Sequence, residues 1–170
     1  MNAKTQAQIN RMKEQTIGVE VEMNSITRRA AAKLAADFFG TNRYEDTAFR
    51  NGYYTWSAWD AQGREWKFQR DVSISGPDSE KCEMVTPILH YEDIETLQEL
   101  IRRLRKAGAK SDYTRGCGVH IHIGAAGHTG AILKKWTAKS ERWYNNKKRR
   151  ETHGKHQVYR GIQAKHSKLV

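Results

Sequence analysis

The chain has 170 residues, 38% hydrophobic and 29% charged, with a formal net charge of +11. That length supports one hydrophobic core and is short for two, and the apolar content separates the sequence from disordered chains. No run approaches the roughly 20 apolar residues of a membrane span, the N-terminus lacks the apolar stretch of a secretion signal, and Cys82 and Cys117 make neither a CxxC pair nor a disulfide framework, so a cytoplasmic protein with no membrane contact is expected.

Residues 1–15 are polar and lack an apolar face, which reads as a flexible N-terminal arm. From Thr16 to Asn24 the residues alternate, with Ile17, Val19, Val21 and Met23 on one side and Gly18, Glu20 and Glu22 on the other, the period of a strand. Thr27 is placed to cap a helix running to Phe39, where Gly40 stops it. Two aromatic runs, Tyr53–Trp59 and Glu65–Arg70, flank a turn containing Gly63 and predict a hairpin. Cys82–Pro87 reads as a short strand. Ile94, Leu97, Leu100, Ile101 and Leu104 recur at helical spacing until Gly108. Gly118–Gly124 alternates again as a strand, and Thr129 or Gly130 opens a last helix through Trp136. Helices fall between strands without a regular βαβ rhythm, so the class is α+β.

The positive charge lies at the end of the chain. Residues 134–170 hold twelve Lys and Arg against Glu141 and Glu151, interleaved with Trp136, Trp143, Tyr144 and Tyr159, while the first 133 residues are close to neutral. Such a segment suits nucleic acid or another acidic partner, and also suits a solvated surface. The expected organisation is an arm over 1–15, an α+β domain over 16–146 and a basic segment over 147–170.

Glu20 and Glu22 share one face of the first strand, about 7 Å apart at a strand's rise. Two readings fit: a solvent-facing edge with Val19 and Val21 turned to the core, or a site for a hard divalent cation such as Mg²⁺ or Mn²⁺. His120 and His122 likewise share one face of a strand flanked by Gly116, Gly118 and Gly124, whose lack of side chains suits close backbone approach. Glu83 interrupts an apolar strand, and Asp71 follows the hairpin. Together they would make three carboxylates and an imidazole, with Asp71 nearby.

Four blocks carry a resemblance: Gly18-Val19-Glu20-Val21-Glu22; Trp66 with Asp71-Val72-Ser73-Ile74; Glu83-Met84-Val85-Thr86-Pro87-Ile88-Leu89; and Gly116-Cys117-Gly118-Val119-His120-Ile121-His122-Ile123-Gly124. In this order they resemble the amidoligases of the carboxylate-amine ligase superfamily, with glutamine synthetase and glutamate-cysteine ligase. The resemblance implies a curved, mainly antiparallel sheet of the glutamine-synthetase-like type flanked by helices. It also implies an ATP- and Mg²⁺- (or Mn²⁺-) dependent enzyme that joins a carboxylate to an amine through an acyl phosphate. Glu20, Glu22, Glu83 and His120 would be ligands, and His122 and Asp71 ligands or orienting groups.

Members of that superfamily continue to a later strand bearing a carboxylate and arginines. Here Tyr159-Arg160-Gly161-Ile162 resembles the segment before that strand, and the chain ends 46 residues after Gly124. It is therefore expected to be short or C-terminally truncated by comparison, with Arg149, Arg150 and Arg160 as candidate phosphate contacts and a sheet edge open to self-association as a homo-oligomer. The alternative expectation is a nucleic-acid- or anion-binding protein that uses its basic segment on a non-catalytic scaffold of the same type.

Overall fold

The computed structural model describes residues 2–125 and, beyond them, 129–131, 134, 135, 138 and 139. Residues 1–125 form one compact unit and 126–170 a second. The first is α+β. Its strands are β1 (Ile17–Met23), β2 (Tyr44–Asp46), β3 (Trp56–Trp59), β4 (Glu65–Gln69), β5 (Cys82–Val85) and β6 (Val119–Ile123). They form one antiparallel sheet in the order β2-β3-β4-β5-β1-β6, which does not close on itself.

Two helices cover one face of the sheet. The helix α2 (Arg28–Phe39) starts where Thr27 accepts the Ala30 N–H and ends at Gly40, whose φ of 72° is the left-handed conformation that lets a helix stop. It follows α1 (Ala3–Lys13) and precedes α3 (Ala48–Asn51) and α4 (Ile94–Lys106). Ala31, Ala32, Ala35 and Ala36 of α2 are fully buried, and these small side chains bring the helix close to β3 and β4. Leu97, Leu100 and Leu104 of α4 complete the layer over Val19, Val21, Met84, Trp66 and Phe68. Leu100, with no exposure, marks the centre of that layer, where truncation to alanine costs about 2–5 kcal/mol.

The β3–β4 hairpin is pinned to α4 by one buried acid and one arginine. Asp60 accepts the Gln62 and Arg64 N–H groups through one oxygen, and the Trp66 indole N–H (3.0 Å) and Arg64 Nε (2.8 Å) through the other. Arg64 then forks onto Asp93 at the start of α4, at 2.8 and 2.9 Å.

Three differences from the sequence reading stand out. The segment read as an arm is the helix α1, capped by Asn2, with no buried residue of its own. Tyr53 and Tyr54, assigned to a strand, turn the chain with φ of 50° and 52°. The β2 strand and α3 helix, three and four residues long, carry too little periodicity to be seen in sequence. Of the helix expected after Thr129, Gly130, Ala131, Lys134, Lys135, Ala138 and Lys139 are helical, and the rest lies outside the described residues. No described helix is long and apolar enough to cross a membrane.

Candidate metal site

The face of the sheet away from α2 and α4 carries the acids. Strand alternation sends Val19, Val21 and Met23 inward, as expected, and Glu20 and Glu22 to the opposite face. Register then decides what meets them. Glu22 stands opposite Glu83 on β5, Glu83 opposite Gln69 on β4, and Glu20 opposite His120 on β6.

The solvent-facing reading of the glutamates does not hold for Glu22 or Glu83, each only 6% exposed. Two loops close over that end of the sheet. The Ser75 N–H donates to the Arg115 carbonyl (2.8 Å), and Asn24, just past β1, donates to the Ser75 carbonyl and accepts from Arg115. Gly116 makes this closure possible. Its φ is 69°, and a Cβ there would stand 2.6 Å from the Ser73 carbonyl oxygen.

The result is two groups of donors that share Glu83. Glu20, Glu83 and His120 form one, Glu22, Asp71 and Glu83 the other, and within each the ligand atoms lie within 4.8 Å of one another. Each carboxylate is held by a hydrogen bond: Glu22 Oε2 by the Gly118 N–H (2.6 Å), Glu83 Oε2 by the Gln69 amide (2.8 Å), and Asp71 Oδ1 by the Ser73 N–H and hydroxyl (2.6 and 2.7 Å). Glu20 binds both imidazoles, with His120 Nδ1 2.9 Å from one oxygen and His122 Nε2 3.1 Å from the other. His122 belongs to neither donor group. Its Nε2 contacts the Glu20 oxygen that His120 leaves free.

The electrostatics are compatible with a cation. Glu22, Glu83 and Asp71 form no ion pair among the described residues. Burial, together with the nearby charges of Glu20, Asp71 and Glu22, pushes the Glu83 carboxyl above the usual carboxylate range despite its bond from Gln69. Partial burial also pushes Glu20 up, but the hydrogen bonds from His120 and His122 outweigh it and leave Glu20 low. His120 is raised by its bond to Glu20 and by the charges of Glu22, Glu20 and Glu83. Oxygen donors with one imidazole, each already oriented, suit Mg²⁺ or Mn²⁺ better than a thiophilic metal.

Glu20, Glu22, Glu83, His120 and Asp71, scattered over a hundred residues, are thus brought together. Arg149, Arg150 and Arg160, and most of the basic segment, lie outside the described residues. Sequence reading missed Gln69, Ser73 and the Gly118 N–H. Alternation on β4 puts Gln69 on the acidic face, but only the pairing register sets it opposite Glu83.

An α+β protein with an antiparallel sheet and a carboxylate–imidazole site on its open face is the class that fold and site define. Residues 13–159 match the model of a family described as "Putative amidoligase enzyme", and the chain belongs to that family. Membership supports a ligase-like function in general. No curated protein and no solved structure matches the chain.

Proposed function

We propose that this protein is an ATP- and Mg²⁺-dependent carboxylate-amine ligase working through an acyl phosphate. The observation that carries the reading is the pair of donor groups sharing Glu83, set in a member of the amidoligase family. The sheet, with helices on one face and acids on the other, fits the glutamine-synthetase-like type, and that assignment is part of the proposal.

Glu20, Glu83 and His120 would hold one divalent ion and Glu22, Asp71 and Glu83 a second. When bound, such ions neutralise phosphate charge and favour its transfer. A substrate carboxylate oxygen attacks the γ-phosphorus of ATP, ADP leaves, and an acyl phosphate forms. An amine nitrogen then attacks the acyl carbon, inorganic phosphate leaves, and the amine gives up a proton as the amide forms. The residues present contribute orientation: Gln69, Ser73 and the Gly118 N–H hold the carboxylates, and His122 holds Glu20. Arg149, Arg150 and Arg160 belong to the proposal as phosphate contacts.

The test is ADP release with Mg²⁺ and ATP across panels of carboxylates and amines. Turnover that needs both substrates, and falls at least a hundredfold in Glu83→Gln, is expected. Absence of amine-dependent turnover, with unchanged metal binding in the variant, would remove the reading.

A further inference from the structure

A groove of about 540 Å³ is lined on one side by Arg64, Glu65 and Lys67 of the β3–β4 hairpin and on the other by Val85, Thr86, Pro87 and Ile88. That volume is within the usual range for small-molecule sites. Lys67, Val85, Glu20 and His120 stand in one row across β4, β5, β1 and β6. Lys67 is therefore two strands from Glu20, about 10 Å of backbone, on the same face.

The charges in the groove sort cleanly. Arg64 is committed to Asp60 and Asp93. Glu65 is committed to Arg50, Asn51 and Ser57. Lys67, half-buried, makes no ion pair and no side-chain hydrogen bond among the described residues. It is thus the cation of this groove left without a counter-charge and able to take an anion. The facing wall is mostly apolar: the Thr86 hydroxyl already accepts the Val19 N–H, and Ile88 is left 69% exposed. One uncommitted cation matches one negative charge, whereas a triphosphate needs several.

We propose that the groove binds a monocarboxylate, its carboxylate against Lys67 and its apolar body along Val85, Pro87 and Ile88. Its role as the acyl-substrate site rests on the ligase reading above; its binding does not. The row would set a carboxylate held by Lys67 on the acidic face, two strands from Glu20.

The test is methyl NMR of the full chain, titrated with acetate, butyrate and hexanoate without nucleotide or metal. Shifts at the Val85 and Ile88 methyls are expected, with Kd falling about tenfold from butyrate to hexanoate as more methylenes leave water. Lys67→Met and Ile88→Glu should each weaken hexanoate at least tenfold, and Lys33→Met, on the surface of α2, should leave it unchanged. The methyl spectrum reports folding in each variant. The proposal is overturned if these methyls do not shift, if their shifts persist in both groove variants, or if inorganic phosphate or ATP displaces hexanoate from them at lower concentration. A chain that binds hexanoate as described but shows no amine-dependent ADP release retains the groove and loses only the ligase reading.

Discussion

The Gly118 N–H donates to Glu22 Oε2 across 2.6 Å, and the Glu22 N–H returns to the Gly118 carbonyl at 3.1 Å. The carboxylate is thus fixed by the backbone that leads into the histidine strand. Glu22→Gln keeps an oxygen to accept the Gly118 N–H and removes only the charge. Mn²⁺ affinity, read by electron paramagnetic resonance, should fall at least tenfold while the melting temperature stays within about 2 °C.

Glu83 should show function and stability in opposition. Its folded-state pKa is raised by burial and by neighbouring acids, so the folded protein holds that proton more tightly than the unfolded chain does. Stability from this group is complete below the unfolded value and is lost as pH rises through the folded one. Glu83→Gln should therefore raise the melting temperature of the metal-free protein at pH 7 by about 2–4 °C. The same change should abolish Mg²⁺-dependent stabilisation, and a variant that melts lower than the native chain would contradict the account.

The two histidines should separate. His120 is in a donor group, and the polar partner of His122 among the described residues is Glu20. His120→Ala should lower Mn²⁺ affinity more than tenfold, and His122→Ala by less than that. Because the Glu20 bond raises the His120 pKa, native affinity should climb with pH until that imidazole loses its proton, and the climb should disappear in His120→Ala.

Arg64→Met removes the cation from two acids, one of them, Asp60, buried. A loss of about 3 kcal/mol in urea unfolding at pH 7 is expected. Arg64 holds Asp93 below the usual carboxylate range, and burial only partly opposes it. The contribution of Asp93 is present above its unfolded pKa and lost as pH falls through the folded one. The gap between native and Arg64→Met should accordingly narrow in acid.

Much of this architecture was legible in sequence because its signals are local. Period-2 alternation located β1 and β6, Thr27 and Gly40 bounded α2, and the Leu97–Leu104 spacing gave α4. What stayed hidden depends on register and loop closure. Nothing local places Gln69 opposite Glu83, or shows that the loops around Ser73 and Gly116 cover Glu22, and without that cover the same alternation favours a solvent-facing strand. The role of Lys67 was hidden for a related reason: a lysine between Trp66 and Phe68 looks like any outward residue until Arg64 and Glu65 are seen to have partners of their own.

All five residues of β6 are exposed, with Val119, Ile121 and Ile123 uncovered on one side and the imidazoles on the other. Its bonds to β1 lie at an edge of the sheet, and amide hydrogen exchange should find them opening before those of the inner strands. An ion held between His120 on this strand and Glu20 and Glu83 on the two strands inside it would act as a fastener. Losing the ion would then loosen the strand as well as empty the site, and metal occupancy would be readable far from any chemistry as the exchange rate of a single strand.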